Sequence, residues 1–128
     1  MIKKASARTG RRGCRGRRCR HRPANRHQAH AAAKLDFPAG YNTVTAIAEV
    51  PAGGAAGRHT HPGAETGYVL EGELELLIDG QPPMKIKAGG SYQIPEGAIH
   101  DAKAGDKPFK VLGVYVVKAG EPLAKPAP

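Results

Sequence analysis

Residues 59–80 read HTHPGAETGYVLEGELELLIDG, and the punctuation of this stretch decides the fold. Thr66–Leu70 is a short run of strand-favouring residues that Glu71-Gly72 closes. Glu73–Ile78 follows, with Glu73 and Glu75 alternating with Leu74 and Leu76, so that one face would be wet and the other apolar. Asp79-Gly80 is the two-residue signature of a tight hairpin. The stretch therefore reads as strand, turn, strand, turn, with a period of two and no helical period of 3.6.

The same grammar extends both ways. Upstream, Thr43–Val50 ends at Pro51 and a loop of small residues, Gly53-Gly54-Ala55-Ala56-Gly57. Downstream, Met84–Lys87, Ser91–Ile94, Ile99–Lys103 and Phe109–Val117 are separated by Gly89-Gly90 and Pro95-Glu96-Gly97. Seven or eight short strands at this spacing predict an all-β sandwich or barrel over residues 35–118. Residues 119–128, rich in Pro and Ala, are expected to lie extended over its surface. Met84, Tyr92, Ile94, Phe109, Leu112 and Tyr115 are expected to form core or pocket lining. Closing one sheet on itself removes exposed edges, which lets so small a domain hold a core.

The formal net charge is +9, but it is unevenly placed. Residues 1–34 carry twelve Lys or Arg and no acid; residues 35–128 carry eight Lys or Arg against eleven Asp or Glu. The domain is mildly acidic and the basic signature belongs to the N-terminal segment. That segment has few strongly apolar residues beyond Met1 and Ile2, so it is expected to be a disordered tail. It has no aromatics interleaved with its Arg residues for base stacking, so specific nucleic-acid binding is not expected. Cys14, Cys19 and His21 lack a second pair to complete a zinc site. No run approaches the ~20 apolar residues of a membrane span. Residues 1–34 are either a native basic arm, with the protein cytoplasmic by default, or a misassigned start that replaces a signal for export to the periplasm or beyond.

Four residues carry the chemistry. His59 and His61 are two apart, so both imidazoles project from one face of a strand. Glu65 comes four residues later, past the bend at Pro62-Gly63, and His100 opens its own strand after Pro95-Glu96-Gly97. Nitrogen and oxygen donors without a thiolate suit one divalent transition-metal ion: Fe, Mn, Ni, Zn, Co or Cu.

At these residues the sequence resembles the cupin family. Gly53, His59-Thr60-His61, Glu65 and Gly72 match the spacing of its first motif, and Gly89, Pro95-Glu96-Gly97 and His100 match its second. Position 104 is Ala where the family often has Asn. The resemblance implies a double-stranded β-helix, or jelly roll, with His59, His61, Glu65 and His100 as metal ligands. It also implies a homodimer, for which the edge strand Thr43–Val50 is the expected surface.

Four protein ligands leave one or two positions on the ion for a substrate, and three readings follow. The first is a metal-dependent enzyme on a small organic molecule, with an oxygen-dependent oxidoreductase of dioxygenase type favoured. The second is a redox-neutral isomerase, hydrolase or lyase, with Tyr92 or Tyr115 as the available proton donors. The third is a non-catalytic module that binds or senses a small molecule.

Overall fold

The computed structural model describes residues 28–29 and 33–128, which form eleven strands and no helix. They are β1 (Gln28–Ala29), β2 (Ala33–Leu35), β3 (Tyr41–Val50), β4 (His59–Thr60), β5 (Gly63–Glu71) and β6 (Glu73–Ile78), then β7 (Met84–Lys87), β8 (Ser91–Ile94), β9 (His100–Ala104), β10 (Phe109–Lys118) and β11 (Lys125–Pro126). One sheet runs β1-β3-β10-β5-β8, with β2 also pairing with β3; the other runs β11-β4-β9-β6-β7. Every ladder is antiparallel, and the two sheets face each other as a jelly-roll barrel.

Strict alternation drives the packing. Along β5, Gly63, Glu65, Gly67 and Val69 are buried, while Ala64, Thr66, Tyr68 and Leu70 face solvent. Along β6, Leu74, Leu76 and Ile78 point inward. Val50, Val69, Leu74 and Leu76 are fully buried, each contributing roughly 1.5–3 kcal/mol by leaving water. Tyr92, Ile94, Phe109 and Val111 complete the same cluster.

Three expectations from sequence are corrected here. Thr43–Val50 is no bare edge, because β10 covers one side along its whole length and β1 and β2 pair with the other. Those two strands include residues on the tail side of the 34/35 boundary; residues 1–27 and 30–32 lie outside the described set, so the tail expectation there falls outside it too. Met84 is exposed, and Leu112 sits on the outer face of the larger sheet, level with Ile47 and Tyr68. An apolar residue in a strand follows the pleat, not its own preference for the interior.

Candidate metal centre

The chain crosses from one sheet to the other at the site. His59 lies on β4, directly opposite His100 on β9. His61 follows β4 at the crossover, and Glu65 is on β5 in the facing sheet. One ligand atom from each of the four residues lies within 4.8 Å of all the others. His61, Glu65 and His100 are buried and His59 is half-buried. The four residues singled out in the sequence are thus brought together.

The hydrogen bonds fix which nitrogen faces inward. Nδ1 of His59 meets Gly57 O at 2.6 Å, Nδ1 of His61 meets Leu123 O at 2.6 Å, and Nδ1 of His100 meets Ala98 O at 2.9 Å. A carbonyl can only accept, so each ring donates from Nδ1, and each neutral ring is left with a bare lone pair on Nε2. The Nε2 atoms of His59 and His61 stand 3.2 Å apart, lone pair against lone pair. Nε2 of His100 is buried with no hydrogen-bond partner among the described residues, although Glu65 Oε2 is 3.3 Å away. Buried lone pairs converging on one point can be satisfied together by a shared cation. Three imidazoles and a carboxylate therefore fit one divalent transition-metal ion.

Electrostatics agree for Glu65 and His59, whereas Glu65 pulls His100 of the ion-free protein toward its protonated form, a proton that an ion would have to displace. Burial resists ionisation of Glu65, but His100 and His61 beside it outweigh burial and hold its carboxyl down to about 2. Burial lowers the pKa of His59, and the neighbouring His100 and His61 add to that effect. Burial opposes the charged form of His100 too, but Glu65 and the Ala98 carbonyl overcome it and raise its pKa. The carboxylate is thus ionised, as a ligand must be.

A second layer supports these four. Tyr92 Oη donates to Glu65 Oε1 at 3.0 Å, leaving Oε2 for the centre. Gly67 permits this arrangement: a Cβ there would fall on the Tyr92 ring, 2.5 Å from Oη. Buried Asp101 accepts from Gly57 N at 2.8 Å, and the Gly57 carbonyl in turn orients His59. Gly57 has φ +92°, a backbone conformation that a side chain would strain. Asp101 is buried beside His100 against strand alternation because the 51–58 loop lies along β9, through Ala56 N to Ala102 O and an Ala55–Lys103 bridge.

The centre opens on a cavity of about 420 Å³, walled by Ala46, Ala48, Val111, Phe109, Tyr115 and Leu123 among others. The Tyr115 ring lies 4.9 Å from that of His61. Burial, with the Glu65 charge added to it, pushes the phenols of Tyr92 and Tyr115 well above their usual range, so both stay protonated: they donate hydrogen bonds, and would give up a proton only if a cation at the centre lowered them. Sequence reasoning missed Asp101 and the Leu123 carbonyl. No residue-type signal could reveal the latter, since any residue supplies a carbonyl.

Comparison with known proteins gives a consistent result. Residues 46–118 match the family model described as a cupin domain. Over 69 residues the chain is 35% identical to the dimethylsulfoniopropionate lyase DddQ of Ruegeria pomeroyi, covering 54% of this chain and 34% of that protein. The crystal structure of that DddQ superposes with a TM-score of 0.70 at 24% identity, covering 91% of this chain and 59% of the other. Oxalate decarboxylase from Bacillus subtilis gives 0.67 at 18% identity, covering 80% and 28%. The chain spans about a third of the length of the curated relative it matches.

Proposed function

The chain belongs to the cupin domain family, and from that premise and the geometry of its site we propose that it is a metal-dependent enzyme that cleaves a small organic acid without redox chemistry. The observation that carries the reading is the set of three bare Nε2 lone pairs and one ionised carboxylate at the floor of an apolar cavity. A divalent ion held by His59, His61, Glu65 and His100 would supply a Lewis acid for a substrate carboxylate.

The chain's own residues would do the rest. Tyr92 is committed to Glu65 and keeps it in place. Tyr115 sits beside His61 on the cavity wall and is the group placed to exchange a proton with substrate once a bound cation lowers its phenol: the phenol would protonate the carbanion that a decarboxylation leaves, and the phenolate would take the proton that an elimination removes. The alanine, valine and phenylalanine walls exclude water, which strengthens every charge interaction at the centre. A lyase and a decarboxylase among the similar proteins favour this reading over the oxygen-dependent one.

The test is a chain loaded with Zn, Mn, Fe(II) or Ni and offered dimethylsulfoniopropionate, oxalate and other small acids, with oxygen uptake followed in parallel. Turnover without oxygen uptake is expected, and loss of turnover in Tyr115→Phe with metal content retained. Stoichiometric oxygen uptake would transfer the site to the oxidative reading. A ligand that raises Tm and is never converted would make it a binding module.

We infer also that two copies pair through the outer face of the larger sheet. Its register sets Leu112 between Ile47 and Tyr68, Val114 between Thr45 and Thr66, and Val116 between Thr43 and Ala64. With exposed Leu70 this makes an apolar surface suited to a self-complementary two-fold contact.

A further inference from the structure

The Nδ1 partners of the three histidines are not equivalent. His59 and His100 donate to carbonyls two residues before themselves, at Gly57 and Ala98, within the turns that deliver them. His61 donates to Leu123, sixty-two residues along the chain, in the segment that follows β10. The orientation of one candidate ligand thus depends on a separate, peripheral element.

That element is anchored at both ends. Where it leaves β10, Lys118 N donates to Pro62 O and Ala119 N to Gly40 O, each at 3.0 Å, and Lys118 Nζ pairs with Glu96 at 2.6 Å. Beyond Leu123 it becomes β11, with Lys125 opposite Thr60 and Pro126 opposite His59. Ala127 N then donates to Arg58 O at 3.0 Å, and Arg58 Nε donates to Pro128 O at 2.6 Å. Two further N–H groups of Arg58 hold Asp79 at 2.9 and 2.8 Å, fixing the guanidinium as a post for the strap. Between the anchors, Leu123, Ala124 and Pro126 form part of the cavity wall.

The strap buries little. Of residues 119–128 only Leu123 and Ala127 are even half-buried; the rest are exposed. A segment with so few apolar contacts belongs to the low-stability end of a structure and opens at small cost.

We propose that residues 119–128 are a strap that closes the cavity and positions His61 through the Leu123 carbonyl, so that strap closure and ion binding reinforce each other. The inference rests on the metal-dependent reading above. The two events share one hydrogen bond, so whatever factor closure contributes to ion affinity, the ion returns to closure. An open strap also gives the cavity a route for substrate entry that leaves the barrel strands undisturbed.

The experiment uses the full chain with Zn²⁺ as probe. Amide hydrogen exchange over residues 119–128 should slow severalfold when Zn²⁺ is added, while exchange over β6 and β7 is unchanged. An Arg58→Ala/Ala127→Pro variant removes two strap hydrogen bonds and no ligand. Its Zn²⁺ affinity should fall about tenfold, the lower end of what loss of a ligand's outer partner does. In the metal-free variant, ring ¹⁵N shifts of His61 should no longer report a single Nδ1–H tautomer, whereas those of His59 and His100 should. Should the variant fail to fold, exchange in the unaltered chain decides. Zn²⁺ uptake with no change in strap exchange, or full affinity in a folded variant, would overturn the coupling. Failure of the unaltered chain to take up Zn²⁺, Mn²⁺ or Ni²⁺ would sink the metal reading itself, and the coupling with it.

Discussion

Replacing Tyr92 by Phe would remove one oxygen atom and leave the ring that fills the core. In the structure that oxygen donates to Glu65 Oε1 at 3.0 Å, while Glu65 Oε2 lies 3.0 Å from His61 and 3.3 Å from His100. Without the phenol, Oε1 is a buried carboxylate oxygen with no donor. A hydrogen bond to a charged group is worth about 1.5–3 kcal/mol, and a loss of that size matches the 10–100-fold drop in metal affinity typical of a severed outer partner. The metal-free protein should also lose stability, with Tm falling by about 4–8 °C per kcal/mol for a domain of this size. Competition of Zn²⁺ between the protein and a chelating dye measures the affinity, and thermal melting of the metal-free form measures the stability. Leu74→Ala is the control: it opens a void in the core and should destabilise by roughly 2–5 kcal/mol, yet leave the affinity of the folded fraction alone. If Tyr92→Phe held Zn²⁺ within twofold of the unaltered chain, the phenol would be packing only, and the outer layer described here would be wrong.

Other outcomes follow from the same geometry. Gly67→Ala drives a Cβ into the Tyr92 ring and should match Tyr92→Phe in metal affinity while destabilising further, by about 1–3 kcal/mol for overpacking, read by urea unfolding. Asp101→Ala releases the Gly57 amide that sets the carbonyl behind His59, and should weaken Zn²⁺ binding about tenfold in the dye assay; Asp101→Asn, which keeps an acceptor, should restore most of it. Glu65 has a folded pKa depressed from 4.5 to about 2, so its contribution to metal-free stability is complete above 4.5 and is lost as pH falls toward 2. Urea midpoints of the metal-free protein should therefore drop through that window, and Glu65→Gln should lack this part of the drop; parallel curves would refute the assignment. Leu112→Lys places a charge between Ile47 and Tyr68 and should convert the inferred dimer to monomer by light scattering with the metal site intact.

Strand boundaries were legible wherever a turn residue stood next to an alternating run. Glu73–Ile78, Met84–Lys87 and Ser91–Ile94 are strands over those residues, because side-chain alternation and the flanking glycines report on the same pleat. β5 proved longer than Thr66–Leu70, starting at Gly63, since Ala64 and Gly63 carry no strand preference and are recruited by the β10 ladder. The Pro and Ala content of residues 119–128 predicts no more than a surface extension. Their pairing with His59 and Thr60 depends on backbone groups that every sequence supplies.

By itself the sequence determined the all-β class, the two turns that deliver histidines, and the four side chains able to share one ion. Each of these rests on local chemistry: glycine at turns, a period of two, and imidazole or carboxylate at fixed spacing. Only the tertiary structure decided which ring nitrogen faces the centre, which phenol is committed to Glu65, and which segment closes the cavity. Those choices are made by carbonyls and close approaches between residues far apart in the chain, such as His61 with Leu123 and Gly67 with Tyr92, and composition does not encode distance.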